Sequence, residues 1–233
     1  MQKTKFISIF LIFFNFQIHA LIPYKAEYDL YANSTLGNYN IGTAFFTLQT
    51  NGNNYIYTSE ASTKSIWSAL YKFERYEKSS GTNKYNELVS SSYLVNENLG
   101  ENTEKNIRID FFPEKNYATY NNNKRWKIIP GTLVDELSVY LALSQDVKNN
   151  PTVKEFTYQV ALEEEIKFQT FFISGKENIV INEKSIETIV VNCPNLNLTL
   201  KLSKDHNFLP VFISKTNKKN NFLIILKSFS PAS

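Results

Sequence analysis

Residues 24–30 read Tyr24-Lys25-Ala26-Glu27-Tyr28-Asp29-Leu30 and alternate between apolar and charged side chains. In an extended chain successive side chains point to opposite faces, so the two tyrosines, the alanine and the leucine share one face. The lysine, the glutamate and the aspartate share the other face. The segment therefore predicts a β-strand that buries one of its faces.

The same alternation recurs along most of the chain. Polar turns such as Asn51-Gly52-Asn53 and Asn121-Asn122-Asn123 separate the stretches. Short strands joined by such turns favour an antiparallel meander over parallel βαβ units. Strands are predicted at residues 24–30, 40–49, 54–62, 71–79, 87–96, 106–112, 125–129, 154–162, 167–174, 177–181, 185–193, 196–203, 209–215 and 221–229.

Residues 131–150 interrupt this strand rhythm. Thr132 and Asp135 have the spacing of an N-terminal capping box. Pro151 ends the segment because proline cannot continue a helical hydrogen-bond ladder. An amphipathic helix is therefore predicted at about residues 132–147. Its apolar face carries Leu133, Leu137, Tyr140, Leu141 and Ser144.

The predicted fold class is mainly β, with one curved antiparallel sheet and one helix. A sheet of this many strands cannot lie flat, because twist accumulates from strand to strand. We expect it to curl into a half-barrel, a spiral or an open barrel, and a sandwich is the alternative. No internal repeat or Pro/Gly/Ser-rich linker divides residues 21–233, which predicts a single domain.

The first twenty residues are typical of a signal peptide. Lys3 and Lys5 precede an apolar run over residues 6–16, and a small residue, Ala20, follows. The run is shorter than the roughly 20 apolar residues that cross a membrane. We therefore expect cleavage after Ala20 and a soluble periplasmic domain over residues 21–233, with no integral membrane segment.

Charge excludes some partners. Residues 1–20 contain two of the 25 basic residues and none of the 22 acidic ones, so the mature chain carries 23 against 22. A nearly neutral chain lacks the basic surface that attracts nucleic acid. No nucleic-acid partner is predicted.

Residue types for catalysis are scarce. Beyond residue 20, His206 is the single histidine and Cys193 the single cysteine. His206 lies in Ser203-Lys204-Asp205-His206-Asn207, between two predicted strands, which is typical of an exposed turn. Cys193 has no neighbouring base or helix start that would activate its thiol. One histidine and one cysteine cannot build a zinc site. Glu163-Glu164-Glu165 is more typical of a charged turn than of a metal site. The chain is therefore predicted to be no enzyme and to hold no metal and no cofactor.

Aromatic residues provide the remaining indication of a site. They are usually core residues, but a curled sheet and an amphipathic helix also enclose apolar grooves of the kind that bind ligands. The candidate lining residues are Trp67, Tyr71 and Trp126 from the β regions, with Leu137, Tyr140 and Leu141 from the helix.

Short motifs are shared with a known family. They are Tyr24-x-Ala26-x-Tyr28, Gly42, Asp110-Phe111, Gly131 with Asp135-x-x-Ser138 and Tyr140, and Leu209-Pro210-Val211. On these residues the chain resembles the exported bacterial proteins of domain of unknown function 3108. The resemblance implies a periplasmic, mostly antiparallel half-barrel or spiral, like that of lipoprotein carriers, in which Gly131, Asp135 and Ser138 form a structural motif.

Three functions are compatible with these features. The leading hypothesis is a non-catalytic envelope protein that binds an apolar ligand, a lipid or a lipoprotein segment in a groove of the sheet. The second is a structural or partner-binding envelope module without a cavity. The third is a hydrolase whose carboxylates are brought together by folding.

Overall fold

The structure is a computed structural model. It describes residues 21–34, 37–64, 67, 72–85, 87–100, 103–129, 131–216 and 221–231, so the predicted signal peptide and Tyr71 lie outside the described residues. The elements are β1 Tyr24–Ser34, β2 Gly37–Asn51, β3 Asn54–Thr63, β4 Glu74–Lys84, β5 Glu87–Asn98, β6 Glu104–Phe112, β7 Tyr117–Tyr120, β8 Lys124–Lys127, β9 Leu133–Asp135, α1 Val139–Asn149, β10 Glu155–Ala161, β11 Ile166–Ile181, β12 Lys184–Cys193, β13 Leu198–Ser203, β14 Leu209–Thr216 and β15 Asn221–Pro231.

Within the described residues, the 15 strands form one sheet. Each strand from β1 to β8 pairs with the next, each strand from β9 to β15 does likewise, and β1 pairs with β15. All the pairings are antiparallel except β9 with β10, which α1 connects as a parallel pair. The prediction of a mainly β, curved antiparallel sheet with one helix is confirmed.

In the part of the chain that the structure describes, β8 and β9 are the two edges of the sheet, which does not close on itself. In the sequence, five residues, 128–132, separate the end of β8 from the start of β9. The Gln159 amide bridges this gap: its Oε1 accepts the Ile129 N–H at 2.9 Å and its Nε2 donates to the Ile129 carbonyl. The Gln159 side chain thus makes two hydrogen bonds to the backbone of Ile129, as a neighbouring strand would. The sheet is an open barrel.

The inner face of the sheet carries the core. Tyr24, Ala26, Tyr28 and Leu30 are all at least 92% buried, as the alternation in β1 predicts. Tyrosine hydroxyls inside the core have partners, since Tyr24 donates to the Tyr57 hydroxyl at 3.0 Å and Tyr28 to the Pro210 carbonyl at 2.9 Å.

Several strands differ from the prediction. β7 and β9 have only four and three residues, too few to show a period of two. The predicted strands at 167–174 and 177–181 form one strand, β11, which continues through a β-bulge. Gly175 lies at this bulge with φ of 147°, a conformation that glycine adopts readily.

The helix begins seven residues later than predicted. Leu133–Asp135 pairs with β10 as β9, so Thr132 is no cap. The reciprocal bonds of a capping box join Asp135 and Ser138 instead: the Asp135 N–H donates to Ser138 Oγ at 3.0 Å, and the Ser138 N–H donates to Asp135 Oδ1 at 2.8 Å. The apolar residues at helical spacing within 132–138 are therefore the buried residues of a strand and a turn.

α1 packs against β5, β9, β10 and β14. Tyr158 fixes it by donating to Asp146 Oδ2 at 2.7 Å. No helix within the described residues is long and apolar enough to span a membrane. The buried helical side chains are Val139, Leu141, Ala142, Leu143, Gln145 and Val147.

Candidate binding cavity

The main cavity lies at the end of the sheet where β1, β3, β5 and β14 finish and β2, β4, β6 and β15 begin. Its volume is about 550 Å³, within the range of ligand pockets. Its wall has an apolar side and a charged side. The apolar residues include Leu30, Ile41, Ala44, Phe46, Ala61, Phe73, Ile213, Phe222 and Ile224, and the charged residues are Arg75, Glu77, Glu97, Lys105, Glu136, Glu163 and Lys215.

The apolar side comes from neighbouring strands. Leu30 on β1, Phe46 on β2 and Ile213 on β14 are 91% or more buried and join the general core. Ala61 on β3 has a small side chain that leaves the cavity open beside them. An aliphatic chain lying on this surface would bury apolar area that is otherwise exposed to water.

Arg75 organises the charged side. Its guanidinium, 17% exposed, lies 3.0 Å from Glu77, 2.6 Å from Glu97 and 3.1 Å from Glu163. Tyr93, fully buried, donates a hydrogen bond of 2.5 Å to Glu77. One cation thus holds three carboxylates from two strands and one distant turn.

Glu163 belongs to the turn between β10 and β11. Its second oxygen forms an ion pair with Lys105 on β6. Burial alone would raise the pKa of Glu163, but the Lys105 hydrogen bond and the Arg75 charge outweigh it and hold this pKa below its ordinary value. Glu163 is therefore ionised, and its two ion pairs connect the turn to the sheet.

Glu136 and Tyr140 lie where the helix meets the cavity. Glu136 accepts the Glu163 N–H at 3.3 Å, and its other oxygen lies 3.7 Å from Lys215 Nζ. Burial raises the pKa of Glu136, and the Glu163 and Glu77 charges raise it further, against Lys215 and Arg75. Among the four acids of the wall (Glu77, Glu97, Glu136 and Glu163), Glu136 has the longest distance to its nearest cation.

A buried polar network holds this helix entrance in place. Asp135 is fully buried and accepts bonds from Ser79 Oγ at 2.6 Å and Ser90 Oγ at 2.7 Å. The Leu137 and Ser138 N–H groups donate to its other oxygen at 3.1 and 2.8 Å. β9 is thereby fastened to the inner faces of β4 and β5, which positions Glu136 and Tyr140.

The structure brings one of the predicted lining residues, Tyr140, into this cavity. Trp67 lies against Tyr39 with ring centroids 6.0 Å apart, and Trp126 lies on edge strand β8 against Tyr120 at 5.1 Å. Neither tryptophan is a lining residue. Leu137 is a core residue, and Leu141 lines a separate cleft of about 50 Å³. Tyr71 lies outside the described residues. The six predicted residues therefore do not form one site.

The three motif residues from the resemblance occupy two places. Asp135 and Ser138 form the buried network, and Ser138 Oγ also lies 2.9 Å from Ser90 Oγ. Gly131 is exposed, with φ of 142°, in the connection between the two sheet edges. The missed residues are the charged ones, and sequence offers one signal for them: Arg75, Glu77 and Ser79 share a face of β4.

The two residues considered for nucleophilic chemistry lie elsewhere. Cys193 is 1% exposed, and burial raises the pKa of its thiol. His206 is half-buried rather than exposed, because its ring packs on Phe229 with centroids 5.7 Å apart. Within the described ranges, no group of three or more His, Cys, Asp or Glu residues is arranged to hold a metal ion.

Comparisons with known proteins concern the fold. The sequence matches no protein-family model and no curated protein. The chain is similar in structure to a crystal structure described as a β-barrel-like protein of domain of unknown function DUF1849 from Brucella abortus. The TM-score is 0.59 and the identity 8%, over 91% of this chain and 99% of that chain. Identity this low shows a β-barrel-like fold alone, and the resemblance to domain of unknown function 3108 stays a prediction.

Proposed function

We propose that this protein is a non-catalytic periplasmic envelope protein that binds an amphipathic ligand, a lipid or a lipoprotein segment, in the main cavity. The observation that carries the proposal is a cavity of about 550 Å³, partly open to solvent, with one apolar and one charged side. An aliphatic chain fits the first side, and a polar head group fits the second.

The location rests on the sequence. Lys3, Lys5 and the apolar run over residues 6–16 have the form of a signal peptide. Export would also place the protein where lipids and lipoproteins cross between membranes, a setting in which an apolar binding site is useful.

A cavity-free partner-binding module is less well supported, because the cavity is present. The hydrolase hypothesis gains an observation: Glu136 and Glu163 both line the cavity, and their pKa values are shifted in opposite directions. However, Glu163 is bound to two cations. That arrangement favours a structural tie over an acid or base that exchanges protons, so binding is the better-supported function.

Filling the cavity tests this proposal. Ala61→Trp puts a large ring into the space, and we expect it to weaken binding of the apolar fluorescent probe N-phenylnaphthylamine at least about tenfold, a loss of about 1.4 kcal/mol. The measurement is a fluorescence titration, accompanied by circular dichroism to verify the fold.

Gln49→Trp is the matched control. Gln49 is exposed on the outer face of β2, next to buried Leu48. The substitution therefore adds the same ring outside the cavity. It is expected to bind the probe like the wild type. Equal binding by folded Ala61→Trp, or no binding by the wild type, contradicts the proposal.

A further inference from the structure

We propose that the cavity selects amphiphiles with a positively charged head group, which sits between the Glu136 carboxylate and the Tyr140 hydroxyl while its chain lies on the apolar side. This inference deepens the proposed function and rests on it. The ligand class is a cationic amphiphile.

The balance of charge in the wall supports a cation. Among the described lining residues, four carboxylates (Glu77, Glu97, Glu136 and Glu163) face three cations (Arg75, Lys105 and Lys215). Each cation already has an acidic partner within 4.0 Å. An anionic head group would therefore have to displace a carboxylate from its cation, and like charges brought together at a binding site are unfavourable.

Glu136 is the acid with room for another partner. Its contact with Lys215 is 3.7 Å, whereas Arg75 approaches Glu97 to 2.6 Å. The side chain of Glu136 is 20% exposed. The raised pKa of Glu136 has burial as its main cause, followed by opposing effects of nearby charges, and it shows that this carboxylate is short of compensating positive charge. An ammonium group docked beside Glu136 would provide it.

Tyr140 offers the second contact. Its ring lines the cavity, and among the described residues its hydroxyl makes no hydrogen bond. Burial, with the Glu77 and Glu136 charges, raises the pKa of this hydroxyl, so it stays neutral. A neutral phenol oxygen accepts a hydrogen bond from an ammonium group. The two oxygens lie on consecutive parts of the chain, the turn before α1 and its first helical turn.

Three ligands with the same chain test the charge preference. Decylamine, decanol and decanoate would each be titrated against bound N-phenylnaphthylamine near neutral pH. We expect decylamine to bind about tenfold or more tightly than decanoate, with decanol between them.

Glu136→Gln separates charge from shape, because the amide oxygen can still accept the Glu163 N–H. It is expected to weaken decylamine about tenfold and to leave decanol unchanged. Glu164→Gln, the same substitution at an exposed position in the turn between β10 and β11, is expected to change neither affinity. Equal binding of the three ligands, tighter binding of decanoate, or an unchanged decylamine affinity in Glu136→Gln overturns the charge preference alone. Failure of every ligand and of the probe to bind overturns the proposed function as well.

Discussion

Asp135→Ala is expected to lower the free energy of unfolding by roughly 3–5 kcal/mol, because it leaves several buried donors unsatisfied at about 1–3 kcal/mol each. The Asp135 carboxylate is fully buried and accepts four hydrogen bonds, two from serine hydroxyls and two from N–H groups. Its removal leaves those donors without an acceptor in a site that water does not reach. Urea denaturation followed by circular dichroism measures the change.

Asp205→Ala is the control for this substitution. Asp205 is exposed in a 3-10 turn, and its removal is expected to change stability by less than about 0.5 kcal/mol. Equal effects of the two substitutions would show that the Asp135 network does not fasten β9 to β4 and β5.

The same network gives a pH dependence with a definite sign. Burial raises the pKa of Asp135 even against its hydrogen bonds, so the folded state holds this proton more tightly than the unfolded state. The contribution of Asp135 is then fully present below the unfolded pKa of about 4 and decreases as pH rises through the folded value. The difference in stability between wild type and Asp135→Ala should therefore shrink as the pH is raised from about 4.

Arg75→Met is expected to lower the free energy of unfolding by roughly 3–5 kcal/mol at neutral pH, because it removes the central cation and leaves three carboxylates close to one another. The guanidinium is 17% exposed and contacts Glu77, Glu97 and Glu163. Without it, Glu163 loses a charge that helps to hold its pKa below the ordinary value, so mild acidification should restore part of the lost stability. Denaturant unfolding at two pH values measures both effects.

Arg108→Met provides a matched control. Arg108 is 58% exposed and forms a two-point ion pair with Asp110 on the surface. Such surface pairs contribute about 1 kcal/mol or less. A loss in Arg75→Met no larger than this, or one that acid does not relieve, would mean that Arg75 does not hold the charged wall together.

The period-two pattern predicts the sheet well because most strands bury one face. The alternation over residues 24–30 places the same four side chains inside as the structure does. The predicted start of the helix was wrong because residues 132–138 form a strand and a turn. Apolar residues at helical spacing are also compatible with those conformations. A single sequence shows the spacing of buried residues but not the hydrogen bonds that distinguish these cases.

The charged wall was not predictable for a different reason. Both faces of the segment from Glu74 to Glu77 are polar, so the pattern does not show which face points inward. The charged side chains on the inner face pair with one another, and one partner of Arg75, Glu163, is 88 positions away in the chain. Such a pairing depends on how distant turns meet in the folded sheet, which the local pattern does not encode. Tyr140 was identified because helical spacing extends over it.

Native mass spectrometry of the protein isolated from the periplasm without detergent tests the cavity most directly. We expect wild-type protein to carry the additional mass of an amphiphile, released on denaturation, and Ala61→Trp to carry none. Wild-type protein and Ala61→Trp that both have only the mass of the polypeptide, or that both carry the same adduct, would contradict this expectation.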